Sequence, residues 1–151
     1  MNKFFYIILL VFVFTGCSYE PILTNKQYDF GFKNIKYEGE EKINKIIKKE
    51  LIKISEGDSN YDLTLKSLKT KNIVGLDKKG DPSIFNLKIN LKYEIIEQGK
   101  IILSNNLEKQ ISYNNIDDKF ELSNKENEII IYLSESFVDE ILRSTIAIDR
   151  W

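Results

Sequence analysis

The sequence predicts an α+β fold, a two-layer sandwich in which two helices pack on one face of a four-stranded mixed sheet. Three observations lead to this fold class. Several segments alternate apolar and polar residues, as half-buried strands do. Two other segments repeat apolar residues at helical spacing. The segments follow one another in the order β-α-β-β-β-α. Two helices with apolar faces need a surface to cover, and the apolar face of the sheet supplies it.

The first strand and the first helix come from neighbouring segments. Residues Phe30–Tyr37 alternate with one phase slip, which predicts a strand with a bulge. The acidic segment Glu38–Glu41 breaks this strand and suits a helix N-terminus. A helix is then predicted over Glu40–Ser55, with an apolar stripe of Ile43, Ile46, Ile47, Leu51 and Ile54. Its outer face carries Lys42, Lys45, Lys49 and Lys53, which we interpret as a solvated face rather than a contact with lipid headgroups.

The other three strands are separated by segments rich in turn residues. A loop is expected over Glu56–Asn60 and a long turn region over 72–84, which contains Lys78 and Lys79. Gly99 marks a hairpin turn over Glu97–Lys100. The strands themselves are predicted at Tyr61–Lys71, Phe85–Ile95 and Ile101–Tyr113.

The last helix is predicted from about Asn124 to Ala147, after a loop over Asn114–Phe120. Ser123 and Glu126 have the spacing of a capping box, which would start the helix there. Its apolar face includes Ile130, Leu133, Phe137, Ile141 and Ile148.

The sheet face away from the helices is predicted to be polar. Such a face usually meets water, but it also suits contact with another polar wall. Its predicted residues are Asp62, Thr64, Lys66, Asn86, Lys88, Asn90, Lys92, Ser104, Asn106, Glu108 and Gln110.

The composition excludes several classes of function. The chain has 151 residues, no histidine and one cysteine, Cys17. These counts exclude histidine-ligated metal sites, Ser-His-Asp and Cys-His catalysis, and an intramolecular disulfide. Removing residues 1–16, which hold one lysine and no acid, leaves 151 − 16 = 135 residues with a net charge of 21 − 23 = −2. A chain without basic excess does not fit a nucleic-acid binder.

The N-terminus reads as a secretion signal. Lys3 precedes an unbroken apolar run over Phe4–Phe14, which has 11 residues. A membrane-spanning helix needs about 20 residues, so the run suits the core of a signal peptide over residues 1–16. The run ends in Phe14-Thr15-Gly16-Cys17, which resembles the lipobox of bacterial lipoproteins. Residues 17–29 are then a lipidated tether, and residues 30–151 form a single domain.

With these features, the chain resembles the lipopolysaccharide-assembly lipoproteins, the LptE-like family. The likeness rests on the cysteine with its following aromatic-x-Pro-aliphatic segment, on the order of elements, on the acid and aromatic residues between Tyr113 and Ser123, and on the last helix. The resemblance implies an outer-membrane lipoprotein on the periplasmic face, with diacylglycerol and an N-acyl chain such as palmitate on Cys17. It also implies a partner: the LptD-type β-barrel translocon, whose lumen such lipoproteins plug and whose assembly they assist.

The resemblance also implies contact with lipopolysaccharide. Lysine can hold its phosphates, and the candidate residues are Lys78, Lys79 and Lys125. A solvated hairpin tip is the alternative interpretation of Lys78 and Lys79. The polar interior of a large barrel would suit the open sheet face, with Lys66, Lys88, Asn90 and Lys92 as candidate barrel-facing residues.

Two other classes of function are considered. The first is an accessory lipoprotein of another periplasmic lipid-transport system. The second is an enzyme that uses Asp117, Asp118 and Glu121, since paired acids can hydrolyse glycosides. Adjacent acids before a helix are more often turn-forming, so we expect no catalysis, no metal and no cofactor beyond the acyl chains on Cys17.

Overall fold

The elements of the structure follow the predicted order. The computed structural model describes residues 30–54 and 57–149. The predicted signal peptide, the tether with Cys17 and the predicted helix end at Ser55 lie outside these residues. The elements are β1 (Phe30–Gly39), α1 (Glu41–Ile54), β2 (Asp58–Leu76), β3 (Pro82–Glu97), β4 (Lys100–Asn114) and α2 (Lys119–Asp149).

The four strands form one mixed sheet in the order β1-β2-β3-β4. β1 pairs with β2 in parallel, and the other two pairs are antiparallel. Register shifts between Phe30 and Asn34 confirm the bulge predicted in β1. α2 contacts α1, β3 and β4, while α1 contacts β1 and β2. The predicted α+β sandwich is therefore confirmed.

A close approach of two backbones fixes the corner between β1 and α1. Gly39 has φ +90°, and a Cβ at this position would lie 1.9 Å from the Ser67 carbonyl oxygen. The Glu40 amide donates to the Ser67 hydroxyl at 3.1 Å, and the side chain of buried Asn44 donates to the Glu38 carbonyl at 2.9 Å. Only glycine fits this corner, which lets α1 turn back over the sheet.

The second strand is much longer than predicted. We expected it to end near Lys71, but β2 continues to Leu76 and the turn region shrinks to residues 77–81. It also starts earlier, at Asp58, inside the loop predicted over Glu56–Asn60. Residues that resemble a turn extend as a strand here because β3 supplies their main-chain partners as far as Pro82. The second hairpin turn is confirmed, since Gln98 and Gly99 both have positive φ.

The last helix begins earlier than predicted, and the predicted capping box is wrong. α2 starts at Lys119 because the Asp118 carboxylate caps it, accepting from the Phe120 amide at 2.7 Å and the Glu121 amide at 3.1 Å. Ser123 therefore lies inside the helix, and the loop before α2 covers only residues 115–118. Within the described residues, no helix is both long and apolar enough to cross a membrane.

The core lies between the helices and the sheet, where we predicted it. Phe137 and Leu133 of α2 are buried against the sheet, and the Tyr93 hydroxyl lies 2.7 Å from the Ser144 hydroxyl. The remaining fully buried large side chains are Ile43, Ile47 and Leu51 of α1, Leu63 and Leu65 of β2, Leu87, Ile89, Leu91 and Ile95 of β3, and Ile141 of α2.

We predict that Phe137→Ala lowers the free energy of unfolding by about 3–5 kcal/mol, because it leaves a cavity in the core. Phe120→Ala is the matched control, since the Phe120 ring is 73% exposed and its loss should cost little. Denaturant unfolding followed by circular dichroism measures both variants. Equal losses in the two variants would contradict the packing of α2 on the sheet.

Candidate functional site

The far end of the β2–β3 hairpin carries apolar side chains that stay exposed in the part of the chain that the structure describes. We call residues Ile73–Ile84 the hairpin tip. Ile73 is 54% exposed, Val74 56% and Leu76 62%. Ile73 pairs with Phe85, whereas Ile84 precedes Phe85 and so lies on the opposite face of the ribbon. Apolar side chains thus lie on both faces of the tip, and exposed apolar patches are typical of interaction sites.

Lys78 and Lys79 lie at the outermost turn of this tip, and both are exposed. The Asp77 carboxylate holds the turn by accepting from the amides of Lys79 at 2.8 Å and Asp81 at 2.9 Å. Gly80 has φ +88°, which completes the turn. In the part of the chain that the structure describes, neither lysine forms an ion pair. The turn therefore presents two ammonium groups beyond a band of apolar side chains.

The third predicted lysine lies elsewhere. Lys125 is on the second turn of α2 and pairs with Glu128 at 3.2 Å. Its neighbour Glu126 contacts Lys71, and a strand rises about 3.3 Å per residue. Lys78 and Lys79 therefore lie roughly 20 Å farther along the hairpin. The structure brings Lys78 and Lys79 together but does not bring Lys125 to them.

A junction of four side chains attaches the start of α2 to the sheet. The Glu126 carboxylate accepts from Lys71 at 2.5 Å and from the Tyr113 hydroxyl at 2.8 Å. Lys71 also lies over the Phe85 ring, 4.0 Å from its centroid, and that ring packs on Tyr113 at 5.8 Å between centroids. The junction links β2, β3, β4 and α2 just before the exposed tip begins.

Partners within this junction shift two pKa values. Burial raises the pKa of Tyr113, and the Glu126 carboxylate raises it further because it accepts from the neutral phenol. Burial also acts to raise the pKa of Glu126. The hydrogen bonds from Lys71 and Tyr113 and the lysine charges outweigh burial, so this pKa is lowered overall. Glu126 is therefore ionised in the folded protein at neutral pH.

The candidate barrel-facing residues lie together on the open face of the sheet. Lys66 is directly opposite Lys92 on β3, and acids offset this like-charge pair. Lys92 contacts Glu94 at 2.8 Å and Lys66 contacts Glu38 at 3.7 Å. The other two residues belong to the same face, where Lys88 pairs with Glu108 at 3.1 Å and Asn90 is opposite Glu108.

The open face is therefore polar with paired charges rather than basic. On this face, the hydrogen bond that Lys92 donates to Glu94 lowers the pKa of Glu94. An exposed leucine also lies among the polar residues of this face, since Leu68 is opposite Asn90 and is 58% exposed. A face of this kind suits a polar surface better than a free phosphate.

The acids considered for catalysis have separate positions. Asp118 caps α2, as described above, while Asp117 and Glu121 are exposed near it. Within residues 30–54 and 57–149, no group of three or more Cys, Asp or Glu side chains could hold a metal ion.

Sequence reasoning missed the apolar tip and the junction. The run Ile73-Val74-Gly75-Leu76 is rich in strand-forming residues, which was the available signal for a longer β2. The pairing of Lys71 with Glu126 joins residues 55 positions apart, and no local pattern predicts it.

We predict that Glu126→Gln lowers the free energy of unfolding by about 1 kcal/mol at pH 7, a value reduced for partial exposure of the pair. Because the folded pKa is lowered, this contribution is present above the ordinary value of 4.5 and is lost as the pH falls through the folded pKa. Denaturant unfolding at pH 7 and pH 3 should show the difference between variant and wild type shrinking at the lower pH. Glu128→Gln, which breaks an exposed pair, is the control and should change little. A difference that persists at low pH would contradict the assignment.

The fold matches solved structures of bacterial lipoproteins. The crystal structure of the rare lipoprotein B from Shewanella oneidensis has a TM-score of 0.60 and 14% identity, covering 77% of this chain and 96% of that one. The solution structure of lipoprotein B from Nitrosomonas europaea has a TM-score of 0.62 and 13% identity, covering 83% of this chain and 90% of that one. The crystal structure of the minor lipoprotein from Acinetobacter baumannii has a TM-score of 0.50 and 16% identity, covering 78% of this chain and 93% of that one. No protein-family profile and no curated protein sequence matches the chain. The chain has the fold of these lipoproteins.

Proposed function

We propose that this protein is an outer-membrane lipoprotein that occupies the lumen of an LptD-type β-barrel translocon, assists the assembly of that barrel and contacts lipopolysaccharide. It is anchored at the periplasmic face by acyl chains on Cys17. Its role is binding rather than catalysis, and it needs no metal or other cofactor. The fold shared with solved lipoproteins supports the lipoprotein assignment.

The hairpin tip is the feature that supports lipopolysaccharide as the ligand. Lipopolysaccharide is an amphiphile with phosphates next to acyl chains. The tip has the matching arrangement, with Lys78 and Lys79 directly beyond the exposed side chains of Ile73, Val74 and Leu76. Lysine binds phosphate as a point charge, and the apolar band can cover acyl chains that would otherwise meet water. The hydrogen bonds of Asp77 hold the turn before any ligand arrives, which lowers the entropy cost of binding.

The open face of the sheet supports the barrel as partner. The lumen of a large outer-membrane barrel is polar. The open face carries Lys66, Lys88, Asn90 and Lys92 with acids beside the lysines, so it can exchange contacts with water for contacts with a polar wall. The helices cover the opposite face of the sheet, so the open face is left free for the partner.

A tagged full-length protein, extracted from its outer membrane in mild detergent, tests the proposed partner. We expect one large β-barrel protein to co-purify in near-equal amount, identified by mass spectrometry. Recovery of inner-membrane or periplasmic transporter components without a barrel would instead support the accessory lipoprotein of another lipid-transport system. Release of the Cys17→Ser variant into the soluble fraction would confirm the anchor.

We predict that Lys78→Ala combined with Lys79→Ala weakens lipopolysaccharide binding roughly thirtyfold, since each lysine near an anionic surface contributes about 1 kcal/mol. The fold should be unchanged, because both side chains are exposed. Retention of labelled lipopolysaccharide by the immobilised full-length protein measures the affinity.

Lys45→Ala combined with Lys49→Ala is the matched control, because it removes the same charge from the exposed face of α1. This control should keep near wild-type affinity. Equal weakening in both double variants would show that net charge, and not the tip, sets the affinity.

A further inference from the structure

The outer edge of β4 is the first feature of a second site. β4 is the last strand of the sheet, so its outer main-chain groups have no strand partner among the described residues. The Asn115 amide donates to the Ser83 carbonyl at 2.8 Å, one position beyond the opposed pair of Ile84 and Asn114. In an antiparallel pair, alternate residues bond to the partner strand. Near this end, Ile111 and Tyr113 therefore bond to β3, while Gln110, Ser112 and Asn114 direct their main-chain groups outward.

A cavity lies directly beside this edge. It has a volume of about 330 Å³ between the end of β4 and the first turns of α2. We call it the edge groove, and its walls include Ile111, Tyr113, Ile129 and Tyr132, with Lys125 and Glu128 also lining it. Tyr132 lines this groove and is 63% exposed. An apolar groove with an exposed tyrosine has the composition of a recognition site.

Lys109 limits the site on the side away from the tip. Its ammonium group turns toward α2, where it donates to the Ser136 carbonyl at 3.1 Å and pairs with Glu140 at 2.6 Å. Inward-pointing charged residues protect sheet edges from unwanted pairing. The part of the edge beside the groove runs over Gln110–Asn114, which is the length of a short strand.

The chemistry of the edge selects the occupant. A lipid or a sugar could fill an apolar pocket, but only another extended main chain offers donors and acceptors at the spacing of a strand edge. On the helix side of β4 its neighbours would be Ile111 and Tyr113, and on the open side they would be Gln110 and Ser112. A segment added here needs apolar side chains toward α2 and polar side chains on the opposite face.

We propose that the edge groove binds an extended segment of a protein partner by strand addition to β4, with alternating apolar and polar residues. This alternation is the pattern of a transmembrane barrel strand. A closed barrel has no free strand edge, whereas a barrel that is still being assembled has two. The identity of the partner rests on the proposed function, and it gives the edge groove a role in barrel assembly that is separate from ligand binding at the tip.

Amide hydrogen exchange of the full-length lipidated protein in detergent tests strand addition directly. The probe is a synthetic ten-residue peptide that alternates valine with threonine and glutamine. We expect the amides of Gln110, Ser112 and Asn114 to exchange about tenfold more slowly when the peptide is bound, as newly bonded amides do. The amides of Ile111 and Tyr113, already bonded to β3, should change little. Uniform protection or no protection would overturn the proposal, and protection that rises with protein concentration alone would assign the edge to a second copy of this chain.

Two pairs of variants separate the groove from the main chain. Tyr132→Ala removes a groove wall and should weaken the peptide at least about fivefold. Ile131→Ala is its control, because Ile131 lies beside Ile46 of α1 and should leave affinity unchanged. Gln110→Pro removes an outward amide that β3 does not use and should abolish binding, while Gln110→Ala keeps the amide and should not. If the proline variant does not fold, the Tyr132 pair still decides, and equal affinities in that pair would overturn the proposal.

The outcome for the groove is distinguishable from the outcome for the proposed function. If the peptide binds as expected but no barrel co-purifies, the edge groove stands and its natural partner is a different protein. If a barrel co-purifies and the alternating peptide leaves the β4 amides unprotected, the translocon role stands and strand addition is wrong.

Discussion

The structure depends on how the first turns of α2 are held against the sheet, and the ion pair between Lys71 and Glu126 is the contact that holds them. On one side of it, α1 and α2 bury the apolar face of the sheet. On the other side, β4 stays paired with β3 as far as Ile84 and Asn114, and only the last pair of the hairpin, Leu76 and Pro82, extends beyond it to the turn at residues 77–81. Glu126 also accepts from Tyr113 at the end of β4, so one carboxylate fixes the start of α2 against two strands. An isolated hairpin is marginally stable in water, and the pairing with β4 together with this anchoring supports the end of the hairpin that exposes apolar residues.

Local patterns in the sequence predicted the sandwich, the bulge in β1 and the turn at Gln98-Gly99. They were sufficient there because each of those features is set by neighbouring residues, such as the alternation over Phe85–Ile95. They failed where residues distant in the sequence determine the end of a strand or the start of a helix. The strand propensity of Ile73 and Val74 was outweighed by nearby glycines in the sequence, whereas in the fold β3 pairs with Ile73, Gly75 and Leu76. The start of α2 was misplaced because Asp118 competes with Ser123 for the cap, and spacing alone did not separate the two.

The candidate site was predictable only in part, for the same reason. Lys78 and Lys79 were found because lysines in a turn are visible in the sequence. The apolar band beside them became significant only when the structure showed it exposed. Lys125 was assigned to the same ligand from its place at a predicted helix start. The helix in fact starts at Lys119, so Lys125 lies on its second turn. There it lines the edge groove, away from the tip. On this account three surfaces have different tasks: the tip meets the amphiphile, the open face meets a polar wall, and the edge of β4 pairs with a strand.

Binding of lipopolysaccharide at the tip is tested most directly by a photo-crosslinking residue placed at Leu76 in the full-length protein in living cells. Leu76 is 62% exposed in the tip, and Ile52 on α1 is 54% exposed and serves as the control position. After illumination, adducts are detected with an antibody against lipopolysaccharide. We expect a lipopolysaccharide adduct from position 76 and none from position 52. Adducts from both positions, or from position 52 alone, would contradict the assignment of the uncovered tip as the ligand-binding end of the protein.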